Sequence, residues 1–277
     1  TYERWVRCVA YLEEFMQLTR NVSDIPVKEV TKGFVQDFEH FLRMNKKAAN
    51  NTAVRYLRYL KNVMQYAIAN KWATEDPFIG KRFKRTVADR EALTEAELKR
   101  MMDLDLKDYP RVEAVRDTFV FCCFTGLAFC DIKSLKGSDI TTDADGRMWI
   151  RKHREKTGEL SVIPLLDVPR RLIEKYRNHP KVMFEGVVLP VISNQRLNAY
   201  LKEVADLAKI NRHLTSHIGR HTFATLSLSN HVPIESISKM LGHSDIRTTQ
   251  IYAKMQDKTV YEDMATMRQK FDCVMMN

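Results

Sequence analysis

The sequence is poor in several features that mark other classes of protein. No apolar run approaches the roughly 18 residues that a membrane-spanning helix needs. Its 9 glycines and 8 prolines are too few for a chain rich in flexible linkers. Its 5 cysteines, an odd number, show neither metal-binding nor redox spacing. Since unpaired thiols persist in a reducing compartment, we expect a cytoplasmic protein.

Two signatures of catalytic sites are also missing. The chain has no glycine-rich phosphate-binding loop, so we expect no reaction driven by ATP. His217 and His221 stand four residues apart, as zinc ligands on a helix do, but no Glu follows His217 and no carboxylate ligand is evident. We therefore expect neither a metal nor any other cofactor.

Positive charge is concentrated in the N-terminal third of the chain. The formal net charge is +10 and the isoelectric point is near 9.3. Residues 1–90 carry 17 Lys and Arg against 10 Asp and Glu, whereas residues 91–277 carry 28 against 25. We therefore expect the first segment to bind an anionic partner such as nucleic acid. A basic face that is merely solvated is the alternative.

The first segment is predicted to be all helix. Apolar residues at helical spacing indicate helices over roughly 2–18, 31–44 and 51–70. On the third helix the cations recur every three residues along one edge, as Arg55, Arg58 and Lys61. Such a row is typical of a face that tracks DNA phosphates, although a solvated helix face has the same pattern.

A basic stretch follows the first segment. Its cations are Lys81, Arg82, Lys84 and Arg85. We interpret residues 81–90 as a linker between a helical domain, residues 1–80, and a second domain, residues 91–277. Such a linker either closes a clamp around a DNA duplex or acts as a flexible tether.

The second segment combines many helices with few strands. Thr94 and Glu97 form a capping box at one helix start, and an apolar stretch predicts a buried helix over 112–124. Thr215 and Ser216 predict an N-cap just ahead of His217. The expected strands lie at Ile140, 147–154 and 160–165. We therefore expect a mainly α fold, in which a helical domain is joined to a mostly helical domain with a small antiparallel sheet.

Three separate stretches carry side chains suited to phosphoryl transfer. They are Lys156 in a hairpin turn, the pair His217 and Arg220, and His243 with Tyr252 nine residues later. A phenol is a weak nucleophile at neutral pH, so a tyrosine that attacks a phosphodiester needs positive, hydrogen-bonding groups around the phosphate. Arginine and histidine supply such groups, and a lysine can protonate the leaving oxygen. Singly, each residue has an ordinary structural explanation; together they match what tyrosine-mediated transfer requires.

These stretches resemble the motifs of a known family. The run from His217 to Phe223, and Leu241-Gly242-His243 followed by Tyr252, resemble those of the tyrosine recombinases, the phage integrase family. The likeness covers essentially the whole chain. It implies a core-binding domain in residues 1–80 and a catalytic domain in residues 91–277.

The resemblance also implies a function and a role for each residue. The protein is expected to cleave and rejoin double-stranded DNA at specific sites through a 3′-phosphotyrosine, without ATP or metal. Tyr252 is the implied nucleophile, and Arg220 is implied to grip the scissile phosphate. His217 and His243 are implied to hydrogen-bond that phosphate, and Lys156 to protonate the leaving 5′ oxygen. A homotetramer on DNA, with accessory DNA-bending proteins as possible partners, is implied as well.

One position departs from the family pattern. After Thr125-Gly126-Leu127 the family normally has a second phosphate-clamping arginine, but this chain has Ala128, with Asp131 at the acidic position. Three readings are open: an engineered loss, a DNA-binding regulator that does not cleave, or another cation in the arginine's place. Integrases of conjugative and other mobile elements in Bacteroides resemble this sequence in lacking that arginine, which favours a natural substitution.

Arg154 is the candidate for the replacement. Residues two apart in a strand share a face, so Lys152, Arg154 and Lys156 are expected to project together. Arg154 then starts about 7 Å from Lys156, a gap that a long guanidinium side chain can cover. The alternative is that Arg154 contacts only neighbouring backbone phosphates, as we expect Lys152 to do.

The residues at both ends of the chain predict further features. Thr1 is not an initiator Met and begins a helical pattern, so we expect a fragment that has lost an N-terminal, arm-binding piece. Close to Tyr252, Arg247 and Thr248 are expected to contact backbone phosphate. Apolar residues at helical spacing predict a last amphipathic helix over about 259–277. In this family such a helix docks on a neighbouring subunit, and packing within its own subunit is the alternative.

Overall fold

In the computed structural model, which describes residues 2–86 and 92–252, the chain is mostly helical. Two units separate by their internal contacts, Thr1–Asp89 and Arg90–Asn277, and we call them the first and the second unit. Helices surround one small antiparallel sheet, which confirms the fold class expected from the sequence. None of the helices in the described ranges combines the length and apolar character that crossing a bilayer requires. The last amphipathic helix predicted from the sequence lies outside the described residues.

Three helices form the first unit. They are α1 (Tyr2–Arg20), α2 (Lys32–Met44) and α3 (Asn50–Ala69), with a single 3-10 turn at Val27–Glu29 between the first two. Helix α2 begins at Thr31, whose hydroxyl accepts a hydrogen bond from the Phe34 N–H. Phe15 of α1 contacts the aromatic rings of α2, with ring centroids 5.1 Å from Phe34 and 5.4 Å from Phe38. These rings form the centre of the first core.

Residues 81–86 pack along the first unit. The Phe83 ring lies 6.0 Å from that of Phe78 and packs against the first core. The amide of Asn50 donates to the Lys84 carbonyl, and the amide of Asn51 donates to the Thr86 carbonyl. This part of the stretch that the sequence predicts as a linker is therefore held on the first unit.

The second unit is built around one buried helix. Within residues 92–252 its helices are α4 (Glu95–Met102), α5 (Pro110–Thr125), α6 (Phe129–Lys133), α7 (Asp167–Tyr176), α8 (Pro180–Glu185), α9 (Asn194–Leu207), α10 (Ser216–Ser229), α11 (Ile234–Leu241) and α12 (Arg247–Gln250). Helix α5 packs against α4, α7, α9 and α10, and its residues from Val115 to Cys123 are all buried. The capping box of Thr94 and Glu97 is present at the start of α4, as the sequence predicts.

Polar groups inside this core are matched to one another. Arg116 of α5 donates to the neighbouring Asp117 and to three backbone carbonyls at the end of α4. Asp117 also accepts from Lys175 at 2.6 Å and from the Tyr176 hydroxyl at 2.7 Å. Because a buried charge without partners is costly, this network ties α4, α5 and α7 into one arrangement.

The sheet has three antiparallel strands in the order β1 (Ile140–Thr142), β2 (Met148–His153) and β3 (Leu160–Pro164). Ile150 pairs with Ile163, and both are fully buried. Strand β3 packs against α11, which brings the end of the β2–β3 hairpin to the C-terminal end of that helix. Because β2 ends at His153, Arg154 lies just beyond the strand rather than within it.

Candidate active site

Helix α10 carries Arg220 and the first pair of histidines. It begins after Thr215, as the sequence predicts, but neither residue of the predicted N-cap supplies a capping side chain. Instead, Asn198 of α9 accepts from the Ser216 N–H and Asn194 accepts from the Ser216 hydroxyl, both at 2.9 Å. Side chains of α9 therefore bond to the polar groups at the start of α10. The local sequence had predicted that Thr215 or Ser216 would do this.

Arg220 is buried and held by carbonyls at the ends of two other helices. It donates to the Gly126 carbonyl after α5 at 2.6 Å and to the Leu241 carbonyl of α11 at 2.7 Å. The C-terminal ends of helices carry partial negative charge, so they stabilise a guanidinium. Burial nevertheless lowers the pKa of Arg220 to about 10, as does the charge of Arg154, whereas Tyr252 and Asp131 act in the opposite direction. Arg220 remains a cation at neutral pH.

A glycine follows each of the two helices whose ends hold Arg220. Gly126 follows α5 and Gly242 follows α11, both with positive φ angles, +66° and +60°. A Cβ at Gly242 would lie 2.7 Å from the Cδ of Arg154 and 2.6 Å from the Ser161 hydroxyl. The left-handed turn and the close approach both require glycine at this position.

His243 accepts a hydrogen bond from Arg220. The Arg220 Nη2 lies 2.9 Å from His243 Nε2, and His243 Nδ1 lies 2.8 Å from the Thr249 hydroxyl. Burial, the charge of Arg220 and the charge of Arg154 lower the pKa of His243 to about 4. The imidazole is therefore neutral over the physiological range.

Tyr252 lies next to this pair, just after α12. Its N–H donates to the Thr249 carbonyl at 3.0 Å, and its phenol is close enough to Arg220 to raise the pKa of that guanidinium. The Tyr252 ring lies 4.8 Å from the His221 ring in an edge-to-face arrangement, and it is stacked with the His243 ring at 6.4 Å. His217, at the exposed start of α10, contacts His221 with ring centroids 4.8 Å apart. The rings of His217, His221 and Tyr252 thus form a continuous contact.

Arg154 reaches the same place from the β2–β3 hairpin. It donates to the Leu241 carbonyl at 3.2 Å, the carbonyl that Arg220 also uses, and to the Gly242 carbonyl at 3.4 Å. Its Nε lies 3.4 Å from a carboxylate oxygen of Asp131, which is fully buried and also accepts from the Glu155 N–H. The structure therefore brings Arg154 beside Arg220, while Ala128 stands at the start of α6 without a polar side chain.

Of the three cations expected on one face, only Arg154 makes these contacts. Lys152 donates to the Ser134 carbonyl and to Asp139, so it is occupied within the second unit. Lys156 is exposed in the turn and has no hydrogen bond or ion pair with the described residues. Strand alternation does not set the direction of Lys156, because β2 ends three residues earlier. Arg247 is exposed at the start of α12.

Two family models match the chain. The model described as phage integrase family matches residues 91–259, more than half of the sequence, and the phage integrase SAM-like domain matches residues 1–85. This chain belongs to the phage integrase family.

Relatives and solved structures agree with this assignment. Tyrosine recombinase XerD of Listeria monocytogenes is 26% identical over 95% of this chain and 91% of its own length. Tyrosine recombinase XerA of Saccharolobus solfataricus is 30% identical over 76% of this chain and 66% of its own length. A lambda integrase dimer bound to a COC' core site has a TM-score of 0.67 at 18% identity, covering 88% of this chain and 87% of that one. The Tn1549 transposon integrase in complex with a circular intermediate DNA has a TM-score of 0.70 at 15% identity, covering 94% and 99%.

The structural matches show the shared fold, and the family match gives the class of enzyme. The protein is a tyrosine recombinase, an enzyme that transfers DNA strands in site-specific recombination, and DNA is its partner. In the described part of the recombinase, no three His, Cys, Asp or Glu side chains come together as metal ligands do.

A second cluster of predicted residues lies in the first unit of the recombinase. Four of the predicted DNA-binding cations line one cleft of about 630 Å³, namely Arg55, Arg58, Lys61 and Arg85. Phe83 lies under two of them, 5.7 Å from the Arg58 guanidinium and 5.9 Å from the Lys61 ammonium. Lys81 is instead paired with Glu39 at 2.5 Å. Arg82 and Lys84 are exposed and do not line the cleft.

Sequence reasoning missed several residues of both clusters. Asp131 and Thr249 contact the catalytic candidates only through the fold, and His221 was considered only as a metal ligand. The four-residue spacing of His217 and His221, which places both on one helix face, was the available signal for His221. In the cleft, Arg4 from α1 and the amides of Asn62 and Gln65 on α3 join the predicted cations.

The position of Arg154 predicts a measurable effect on His243. Arg154→Met removes a positive neighbour but keeps an apolar stem, so the protonated imidazole becomes easier to form. We expect the pKa of His243 to rise from about 4 toward its ordinary value of 6.5. An NMR titration of the imidazole Cε1–H measures this shift. Lys156→Met is the matched control and should leave the value unchanged; equal values in the two variants would contradict the geometry.

Proposed function

We propose that Tyr252 cleaves DNA at a specific core site and that Arg220 and Arg154 together clamp the scissile phosphate. The observation that carries this proposal is the Leu241 carbonyl, to which both guanidinium groups donate, beside the phenol of Tyr252. Two fixed cations next to a tyrosine provide the positive, hydrogen-bonding surroundings that a phosphorane requires. Arg154 thereby takes the place of the arginine that the family normally has at Ala128.

Cleavage is a direct exchange of two phosphorus–oxygen bonds. The Tyr252 oxygen gives up its proton to water and bonds to the phosphorus, while the bond from phosphorus to the 5′ oxygen breaks. Lys156, exposed at the hairpin tip, gives its proton to that leaving oxygen. The product is a 3′-phosphotyrosine, which keeps the energy of the phosphodiester. Attack by a 5′ hydroxyl on this linkage rejoins DNA without ATP.

The two histidines of the family motif have different surroundings and different proposed roles. His217 is exposed at the start of α10 and supplies a donor to the phosphate. His243 accepts from Arg220, so its first contribution is to orient that guanidinium. His243 donates a hydrogen bond to the phosphate only when the phosphate replaces this contact and the ring gains a proton on Nε2, because the nitrogen that accepts from Arg220 carries none.

The acidic residue three positions after Ala128 supports the substitution. Asp131 is buried, and Arg154 is the charged side chain that pairs with it. The same carboxylate accepts from the Glu155 N–H, which fixes the backbone that carries Arg154. A buried carboxylate with two donors holds the guanidinium in one orientation, as a phosphate clamp requires.

The first unit is proposed to bind the duplex. Its cleft combines several cations with the aromatic ring of Phe83, which suits the phosphate backbone. We assign residues 1–80 to a core-binding domain, 81–90 to the basic linker and 91–277 to the catalytic domain. Lys81, Arg82, Lys84, Lys152 and Arg247 are the further predicted DNA contacts. Of these, Lys81 pairs with Glu39 and Lys152 pairs with Asp139. When DNA binds, each lysine either leaves its carboxylate for a phosphate or contacts both.

The biological setting is the transfer of a mobile element. The absence of an arginine at Ala128 resembles integrases of Bacteroides conjugative elements, so we assign the recombinase to that group. It acts as a homotetramer on two DNA sites, and accessory DNA-bending proteins assist it. Cys8, Cys122, Cys123 and Cys130 are free thiols, in keeping with action in the cytoplasm.

Cleavage through Tyr252 predicts a covalent adduct. Tyr252→Phe keeps the fold but lacks the nucleophile, so it serves to select core duplexes from a randomised pool. A nicked half-site of the selected sequence should then trap wild-type protein on DNA, visible in a denaturing gel. Tyr252→Phe should form no adduct. Absence of adduct with wild type on every selected site would indicate the DNA-binding regulator instead.

The clamp proposal predicts a specific loss and its rescue. Arg154→Ala should slow cleavage of the trapped half-site by about 10²- to 10³-fold, as loss of one preorganised donor does. Arg154→Lys should fall between, since it keeps the charge but loses the planar fork. Adding Ala128→Arg to Arg154→Ala should recover at least part of the rate, with Ala128→Arg alone as the control. Normal cleavage by Arg154→Ala would refute the replacement.

The cleft predicts a change in salt dependence. Arg58→Ala should weaken binding to the selected duplex and reduce the slope of log affinity against log salt by about 1, the value for one lost phosphate contact. Lys28→Ala is the matched control, because Lys28 is an exposed cation of the first unit outside the cleft. Identical slopes for Arg58→Ala and wild type would exclude the cleft from the DNA contact.

A further inference from the structure

Thr249 connects the clamp to the nucleophile. It lies on α12 and is fully buried, although its neighbour Thr248 is exposed. Its hydroxyl lies 2.8 Å from His243 Nδ1, and its carbonyl accepts from the Tyr252 N–H at 3.0 Å. One residue therefore contacts the imidazole through its side chain and the nucleophile through its backbone.

The partners of His243 determine where its proton lies. A guanidinium nitrogen can only donate, so His243 Nε2, 2.9 Å from Arg220 Nη2, must be the acceptor. A neutral imidazole carries its single proton on the other nitrogen. His243 Nδ1 then donates to the Thr249 hydroxyl, which can accept it.

A buried hydroxyl at this point has a clear consequence for Arg220. Without an acceptor, the Nδ1 proton of His243 would be left unpaired in a partly buried site. The imidazole would then lose part of its preference for the tautomer whose Nε2 accepts from Arg220. The direction of the guanidinium, which is set by Gly126, Leu241 and His243, would become less defined.

We propose that Thr249 is a positioning residue for DNA cleavage, which holds His243 as its Nδ1–H tautomer and so orients Arg220 beside Tyr252. This inference rests on the proposed roles of Arg220 and Tyr252. Thr249 is fully buried and bonds to the His243 ring and the Tyr252 backbone, so it acts through these two residues. Its backbone bond to Tyr252 links the orientation of the clamp to the turn that carries the nucleophile.

The tautomer is measured directly by ¹⁵N NMR on protein labelled at histidine, with His243→Gln to assign the signal. In wild type we expect protonated Nδ1 and unprotonated Nε2. Thr249→Val, which has the same shape without the hydroxyl, should shift His243 toward a mixture of tautomers. Thr249→Ser should restore the wild-type signal. A His243 signal that is unchanged in Thr249→Val would overturn the proposal.

Cleavage of the nicked half-site supplies the functional readout. Thr249→Val should lower the cleavage rate at saturating DNA roughly tenfold, the effect of one lost hydrogen bond, with unchanged affinity for the duplex. Thr249→Ser should cleave within about threefold of wild type. Thr142→Val, at an exposed threonine of β1, is the matched control and should cleave normally.

The two readouts separate this inference from the proposed function. If wild type forms no adduct but shows the Nδ1–H tautomer that depends on Thr249, the proposed function fails while the tautomer assignment stands. If wild type cleaves and Thr249→Val cleaves equally fast, the positioning role is refuted while the proposed function stands.

Discussion

The carbonyl of Leu241 is the point on which the candidate active site of the second unit depends. Arg220 and Arg154 both donate to this single oxygen at the end of α11. Two guanidinium groups repel each other, and the charge of Arg154 indeed lowers the pKa of Arg220. A helix terminus with free carbonyl lone pairs and partial negative charge offsets that repulsion. Glycine at position 242 allows the chain to turn there and leaves room for Arg154.

This arrangement explains how one cation can arrive from a different part of the chain. In the family pattern the second arginine follows α5, where this recombinase has Ala128. Arg154 instead comes from the end of β2, and the packing of β3 on α11 brings it to the same carbonyl. The buried Asp131 pairs with it from α6. A phosphate recognises the position and direction of a guanidinium, not the element from which it extends.

The ionisable groups of the site are fixed in position, but burial removes them from water. Arg220 and His243 both have lowered pKa values, chiefly because burial disfavours the charged form. Arg220 stays charged because carbonyls and Tyr252 replace its water. His243 is instead neutral, and this lets it accept from Arg220 rather than repel it. An anionic phosphate is the natural complement to such a site.

Local sequence was sufficient wherever the relevant contacts are short in range. Helical periodicity, the Thr94–Glu97 capping box and the three strands depend on neighbours a few residues apart, and they were predicted correctly. The motifs around Arg220, His243 and Tyr252 likewise pointed to tyrosine chemistry. The side-chain N-cap at Thr215 failed because α9, a different helix, satisfies the start of α10.

The sequence by itself therefore determined the family and the elements named above, and it supplied the candidates for the reactive side chains. Tertiary structure alone decided that Arg154 shares a carbonyl with Arg220 and that Asp131 holds it in place. It also decided that Lys152 bonds to Ser134 and Asp139, and that residues 81–86 lie on the first unit. The reason is physical: these partners are many residues apart along the chain, and only packing brings donors and acceptors within hydrogen-bonding distance.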